Sequence, residues 1–359
     1  MNKKILHVVP TLKKDGAETQ LLILLKELKK IVPVIDLITF DFFSEGKSIK
    51  KDLAELGINV HEYKKNILLT TVHLYRRLKK ENYDTVHSHL PKSDILVGIV
   101  NILVNFNHVI SVHAQYGTRK KESRAKYFFL FPAWRLFINR ADSVIAISEK
   151  VKSWLVSRGV VNDIEVILYG IEPKKEYHNF QDSHEIGMAA RFLPWKGWEN
   201  LIAVVSRINE LGFSFNLHLA GSDDIGYKNE LVSLIEHKGL EHNVIFYEEF
   251  QNIFDFFDLI DVFVFLSESE GFGLVLLEAM SYGVPIVCSD IAPINEFVDS
   301  KTGILVDRED IDGIAGKIIS LLSNKKEQLT MKENQIYKVS NNLNAEIMTT
   351  KVKELYYSP

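Results

Sequence analysis

The chain predicts an α/β protein built from two doubly wound, parallel-sheet domains that face a central cleft. Three observations point there. A length of 359 residues is long for one hydrophobic core and comfortable for two. Short apolar runs alternate with amphipathic helical stretches from one end to the other. The polar stretch "YGIEPKKEYHNFQDSHE" (169–185) carries Gly and Pro and separates two halves of like plan. The expected organisation is a first domain over 1–168, a connection over 169–185 and a second domain over 186–339. The tail "NNLNAEIMTTKVKELYYSP" (341–359) reads as one last helix, so that residues 340–359 are expected to return to the first domain.

The elements follow from local pattern. "KILHVVP" (4–10), "VPVIDLITF" (32–40), "DTVHSH" (84–89), "NHVISVH" (107–113) and "ADSVIAIS" (141–148) have the apolar, β-branched character of buried strands. "AETQLLILLKELKK" (17–30) and "SEKVKSWLVSRG" (148–159) are helices between them, the second with a Ser N-cap and a terminal Gly. In the second half "EIGMAAR", "FSFNLHLAG", "NVIFYE", "DVFVFLS", "PIVCSD" and "TGILVD" repeat the plan. "DID" (310–312) reads as polar residues at a helix start. The first strand is followed by "TLKKDGAE" rather than G-x-G-x-x-G, which disfavours a dinucleotide-binding dehydrogenase.

Hydrophobic residues at 46% and charged residues at 25% are ordinary for a soluble globular protein. No apolar run reaches the roughly 18 to 20 residues that span a bilayer, and "MNKKILHVVP" is too brief for a secretory signal. Cytoplasmic residence is expected, with peripheral attachment to the inner face of the membrane. The single cysteine, Cys288, sits in the apolar "PIVCSD" and is expected in the core. Charge is uneven: residues 1–170 hold 27 Lys+Arg against 17 Asp+Glu, and the rest hold 16 against 30. The first half is therefore suited to an anionic partner.

Three stretches of the second half bear chemistry. In "AARFLPWKGW" (189–198) Arg191 follows a strand and Lys196 precedes a helix. Two cations at the mouth of a parallel sheet suit a diphosphate, since a guanidinium binds two oxygens and an ammonium adds a point charge. The plain alternative is a solvated loop. "LHLAGSDD" (217–224) is a strand ending in a glycine turn and by itself shows only a tight connection. "DVFVFLSESEGFGLVLLEAMSYG" (261–283) runs from a buried strand through Gly271-Phe272-Gly273 into a helix, with Glu270 and Glu278 bracketing the turn. A glycine turn opening a helix offers N–H groups and a positive dipole end to an anion. Carboxylates beside it suit hydroxyl groups.

These residues, with "DGAE" (15–18), "VHSHLPKSD" (86–94) and "ISVHAQ" (110–115), resemble retaining glycosyltransferases of the two-Rossmann-domain (GT-B) type, family 4, over essentially the whole chain. The likeness is greatest to bacterial enzymes that build surface saccharides such as O-antigen or capsule. The resemblance implies a nucleoside-diphosphate sugar donor, with UDP favoured, a hexose-type unit moved with retention, and a saccharide or lipid-linked saccharide acceptor. It implies that Arg191 and Lys196 neutralise the leaving diphosphate, Glu270 holds a donor-sugar hydroxyl and Glu278 the ribose. The N–H groups of Phe272, Gly273 and Leu274 would approach the donor, Gly16 would bring its backbone to the diphosphate, and His113 would stand by the transferred sugar and the acceptor. Asp15 stands where the family usually has a first Gly, and Glu248 stands where it usually has Gly after a strand.

No metal and no cofactor are expected. His87 and His89 could share a strand face, and either could face the cleft, yet no carboxylate or cysteine partner presents itself. "RKKESRAKYFFLFPAWRLFINR" (119–140) mixes Arg119, Lys120, Lys121, Arg124 and Lys126 with Phe128, Phe129, Phe131 and Trp134. It reads either as a contact with an anionic membrane or as a helix whose aromatics pack inward. Nucleic acid is disfavoured, because the second half is acidic and no recognised binding motif appears. Two other readings stay open: a sugar-nucleotide epimerase of the same architecture, and a catalytically silent sugar-nucleotide-binding subunit.

Overall fold

The computed structural model describes residues 3–40, 48–63, 67–116, 124–179, 183–248, 250 and 252–357, without the side chains of 67 and 124–129. The chain divides into two units, Met1–Gly170 with Ala345–Pro359, and Ile171–Asn344. In the first, the elements run β1 (Lys4–Val9), α1 (Gly16–Lys29), β2 (Val34–Thr39), α2 (Lys50–Glu55), β3 (Asn59–Glu62), α3 (Ile67–Glu81), β4 (Thr85–His89), α4 (Pro91–Val104), β5 (Asn107–Val112), α5 (Arg124–Ile138), β6 (Ser143–Ala146), α6 (Glu149–Ser157) and β7 (Ile164–Val166). The strands pair in the order β3-β2-β1-β4-β5-β6-β7, all parallel. Successive side chains of each strand point to opposite faces, and both faces are covered, which is why β1, β2, β5 and β6 are largely apolar, whereas the buried β4 carries Thr85, His87, Ser88 and His89. Ile5, Val9, Ile35 and Leu37 pack toward α1, whereas Leu6, Val8, Ile38 and Val86 pack toward α3 and α4.

The second unit continues with β8 (Glu185–Ala189), α7 (Trp198–Glu210), β9 (Asn216–Ala220), α8 (Tyr227–His237), β10 (Val244–Tyr247), α9 (Ile253–Phe257), β11 (Val262–Phe265), α10 (Leu274–Tyr282), β12 (Ile286–Ser289), α11 (Ile294–Phe297), β13 (Ile304–Val306), α12 (Ile311–Leu322) and α13 (Lys325–Asn342). Its parallel sheet has the order β10-β9-β8-β11-β12-β13. Cys288 is buried in β12. The last helix, α14 (Ala345–Tyr357), belongs to the first unit, where Met348, Val352 and Tyr356 join the core under α1. No helix among the described residues is long and apolar enough to cross a membrane.

Three features differ from what the pattern suggests. β3 and β7 are short edge strands whose few residues show no apolar run, so periodicity passes over them. The polar stretch at 169–185 is not a bare connection. Tyr169 is buried in the first unit, and the His178 N–H donates to the carbonyl of Tyr282 at 2.9 Å in the second. The tail is not one continuous helix from 341, since α13 runs to Asn342 before α14 begins at Ala345.

Candidate active site

The strand order of the second unit turns at β8 and β11, which are neighbours although β9 and β10 lie between them in the chain. Doubly wound sheets bind ligands beyond the carboxyl ends of the strands at such a turn. The stretch with Arg191 and Lys196 leaves β8, and the stretch with Glu270 and Gly273 leaves β11. They are joined backbone to backbone. The Trp195 carbonyl accepts from the Glu268 N–H at 2.9 Å and from Ser267 Oγ at 3.2 Å. Gly197 has φ +87°, and a Cβ there would lie 2.0 Å from the Leu266 carbonyl oxygen. Only glycine permits this approach.

That seam sets Lys196 against Glu270, with Nζ 2.6 Å from Oε1 and only 15% and 8% of the two side chains exposed. The ammonium also stands 5.5 Å from the centre of the Phe265 ring. Arg191 is exposed and forms no ion pair with another described residue, while its carbonyl accepts from the buried Trp198 indole at 3.2 Å. Gly273, at φ +94°, opens α10 with no side chain capping the helix start, and Leu274 is its first residue. Phe272 turns its ring inward onto Phe297, centroids 4.7 Å apart, so it faces the turn through its backbone alone. Glu278 is half-buried on the second turn of α10. By contrast, the glycine of "LAGSDD" has a packing reason: a Cβ on Gly221 would meet the Ala190 carbonyl at 1.8 Å. Asp223 caps α8 through the Tyr227 N–H at 3.0 Å.

In the first unit the order turns at β1 and β4. Gly16 is the first residue of α1, and no heavy atom lies within 4 Å of where its Cβ would be. Asp15 precedes it with extended backbone and makes no side-chain cap. Glu18, in the first turn, is buried, and desolvation pushes its carboxyl up to about 7. His113 leaves the end of β5. Its Nδ1 lies 2.6 Å from the Tyr169 hydroxyl, and its Nε2 lies 3.1 Å from His89 Nδ1. The chain continues from His89 Nε2 to His7 Nδ1 at 3.1 Å. Burial holds these imidazoles neutral, pushing His113 down to about 4 and His7 to about 3. A neutral His113 can pass or receive a hydrogen bond but brings no positive charge.

His7, His87 and His89 place one nitrogen each within 4.8 Å of one another, a grouping that could hold a metal ion. The sequence reading weighed only two of these residues. Here His87 already spends its nitrogens on the Tyr356 hydroxyl at 2.5 Å and on Ser111 Oγ at 2.8 Å. His7 and His89 are therefore bonded to each other, while His87 is bonded to Tyr356 of α14 and to Ser111.

Two family models match consecutive parts of the chain: Glycosyltransferase Family 4 over residues 15–175 and Glycosyl transferases group 1 over residues 171–337. The chain is a family 4 glycosyltransferase. Over 99% of its length this glycosyltransferase is 24% identical to the capsular polysaccharide biosynthesis glycosyltransferase CapM of Staphylococcus aureus, covering 97% of that protein. It is 25% identical to the lipopolysaccharide core biosynthesis mannosyltransferase LpsB of Rhizobium meliloti, over 63% of this chain and 68% of that one. Its fold matches the crystal structure of Anabaena HepE in complex with UDP, with a TM-score of 0.85, 20% identity and 98% of each chain covered. The architecture is GT-B.

For this glycosyltransferase, sequence reasoning missed Gly197, Glu18, Tyr169 and His7. "KGW" before a helix is a usable sign of the first. Glu18 lay inside a quoted motif, but its burial depends on packing. Tyr169 and His7 reach His113 and His89 only through the sheet order. In 119–140, Arg119, Lys120 and Lys121 lie outside the described residues, as do the side chains of Arg124, Lys126, Phe128 and Phe129. Of the aromatics that are described, Trp134 is buried and its indole donates to Asp94 at 2.7 Å, so it offers no outward surface. Phe131 is half-buried, its ring centre 5.5 Å from that of Trp134.

Proposed function

We propose that this glycosyltransferase moves a hexose unit, with retention of configuration, from a nucleoside-diphosphate sugar to a saccharide or lipid-linked saccharide in bacterial surface polysaccharide synthesis. UDP is the favoured nucleotide, no metal takes part, and the reaction takes place in the cytoplasm at an anionic membrane surface. The observation that carries this reading is the Lys196–Glu270 pair at the turn of the second sheet. A cation and a carboxylate held there suit the two halves of such a donor. The ammonium of Lys196, joined by the exposed guanidinium of Arg191, would stabilise charge that develops on the departing diphosphate. Glu270 would take a sugar hydroxyl, and the amides at the start of α10 would approach the donor past Gly273. Side-chain cations would then do the electrostatic work that a metal does in other transferases. In the first unit, Gly16 leaves open space for a backbone approach, and His113, kept neutral by burial, would reach a hydroxyl by exchanging its bond to Tyr169 or His89 for one to the substrate. The names of relatives support the class: CapM acts in capsular polysaccharide biosynthesis, LpsB is a mannosyltransferase, and HepE was solved with UDP.

The test is to incubate the protein with a panel of UDP-, GDP- and dTDP-hexoses, with and without EDTA, following nucleotide release and the anomer of the released sugar by NMR. Slow release of UDP that persists in EDTA, with the donor anomer appearing first, is expected. Release of the opposite anomer, or complete loss in EDTA restored by magnesium or manganese, would overturn the mechanism. Net epimerisation of the donor without release would favour an epimerase, and binding without either reaction a silent subunit.

A further inference from the structure

We infer that the histidines behind His113 fix the tautomer in which it meets substrate. The ladder Tyr169–His113–His89–His7 holds the His113 proton on Nδ1 and fills its Nε2 from His89, so that His113 acts as a hydrogen-bond donor and not as a base. His89 and His7 are then positioning residues. The inference deepens the proposed reading, in which His113 meets a hydroxyl, and rests on it for that contact alone.

The ladder follows from the sheet order, since β1, β4 and β5 lie side by side. His7 Nδ1 lies 3.1 Å from His89 Nε2, His89 Nδ1 lies 3.1 Å from His113 Nε2, and His113 Nδ1 lies 2.6 Å from the Tyr169 hydroxyl. A neutral imidazole carries one N–H and one lone pair. With three rings bonded nitrogen to nitrogen, each gap holds one proton, and turning one ring's tautomer turns them all. Two arrangements satisfy the series. In the first, the Tyr169 O–H donates to His113, each ring donates inward from Nε2, and His7 ends with an N–H on Nε2. In the second, each ring carries its proton on Nδ1 and donates outward: His7 to His89, His89 to His113, and His113 to the Tyr169 oxygen.

The two ends decide between them. His7 is fully buried, and its Nε2 has no hydrogen-bond partner among the described residues. The rings of His87, His89 and Tyr356 stand around it, their centres 5.1, 5.4 and 6.3 Å from its own. Among backbone groups, a buried N–H without an acceptor is rarer than an unfilled lone pair. By the same measure this nitrogen is better bare than protonated. At the other end, the second arrangement frees the Tyr169 hydroxyl to donate elsewhere. Burial, and after it the charge of Glu18, push that hydroxyl up, so it keeps its proton with a carboxyl in electrostatic reach. Both ends favour the second arrangement.

Of the three rings, His113 alone is not fully enclosed. A cavity of about 30 Å³ borders it together with Tyr169, Gln20 and Ser111, so Tyr169 has room to yield the His113 Nδ1–H to an arriving hydroxyl oxygen. Nε2 already accepts from His89 and cannot take a proton from that hydroxyl while the ladder is intact.

The test is NMR above neutral pH on the full chain labelled with 15N-histidine, the His113 signals being assigned by their loss in His113→Gln. Long-range proton–nitrogen correlations are expected to show Nδ1 protonated and Nε2 bare. A His113 proton on Nε2, or a ring averaging between both forms, would overturn the inference. His7→Asp places an acceptor at the inner end and should reverse the series, moving the His113 proton to Nε2; a folded His7→Asp protein with the wild-type tautomer would equally overturn it. His89→Asn keeps an amide nitrogen where Nδ1 stands, whereas His89→Phe removes the donor. The kcat should fall at least about tenfold in His89→Phe, which leaves a buried acceptor unfilled, and should recover most of that in His89→Asn. Equal loss in the two variants, or none in either, would show that His89 does not position His113. No turnover by wild type with any nucleotide sugar would count against the transferase reading and leave the tautomer result standing.

Discussion

Replacing Lys196 separates stability from catalysis. At 2.6 Å and an effective dielectric of about 20, the attraction between Lys196 and Glu270 is about 6 kcal/mol, most of it offset by desolvation of two largely buried groups. Lys196→Ala removes the partner but leaves the carboxylate, 8% exposed, in place. A fully buried pair broken on one side loses about 3–5 kcal/mol; the remaining solvent contact lowers that here to about 2 kcal/mol. For a unit of this size the melting temperature should fall by roughly 4–8 °C. Turnover should fall further, by roughly 100- to 1,000-fold, since the cation acts where charge develops. Lys196→Met with Glu270→Gln then decides the matter. With both charges gone, stability should return to within about 1 kcal/mol of wild type, while turnover stays low. Calorimetry and a nucleotide-release assay on the three proteins measure both quantities. An active double variant, or a Lys196→Ala protein with normal turnover, would refute the assignment.

Gly16→Ala should leave the melting temperature unchanged or slightly raised, because alanine favours a helix and the position is open, yet should weaken donor turnover. Equal turnover would show that no ligand approaches there. Acid should destabilise the first unit. His113, His7 and His108, the last in β5 with its Nε2 3.0 Å from Ser88 Oγ, are buried neutral with folded values of about 4, 3 and 3 against 6.5 unfolded, so the unfolded chain binds more protons below about 6.5. Their stabilisation is complete above that value and is lost as the pH falls toward 4, about 3 kcal/mol in full for His113. Glu18 and Asp94, pushed up to about 7, act in the opposite sense, favouring the folded state in acid. Since the histidines outnumber them, denaturant midpoints should drop between pH 7.5 and 5, and less so in His113→Gln; a rise would contradict the buried neutral ladder.

What the chain determines by itself is local. Alternating apolar strands and amphipathic helices specify parallel sheets because strands buried on both faces are mostly apolar, and "GFG" before a helix specifies a turn because glycine tolerates φ +94°. Hence the two sheets, Gly273 at the head of α10 and the polar helix start at 310–312 were all legible; the structure adds that Asp310 caps that helix by accepting from the Gly313 N–H. Tertiary structure alone decided what meets across the sheet. Lys196 and Glu270, 74 positions apart, became a pair because β8 and β11 lie side by side and Gly197 lets their loops touch. His7 joined His89 because β1 neighbours β4, and Trp134 turned inward because Asp94 accepts its indole. Residue type and spacing carry no record of which strands become neighbours. That choice is made by the collective burial of whole elements, and long-range pairs are consequences of it.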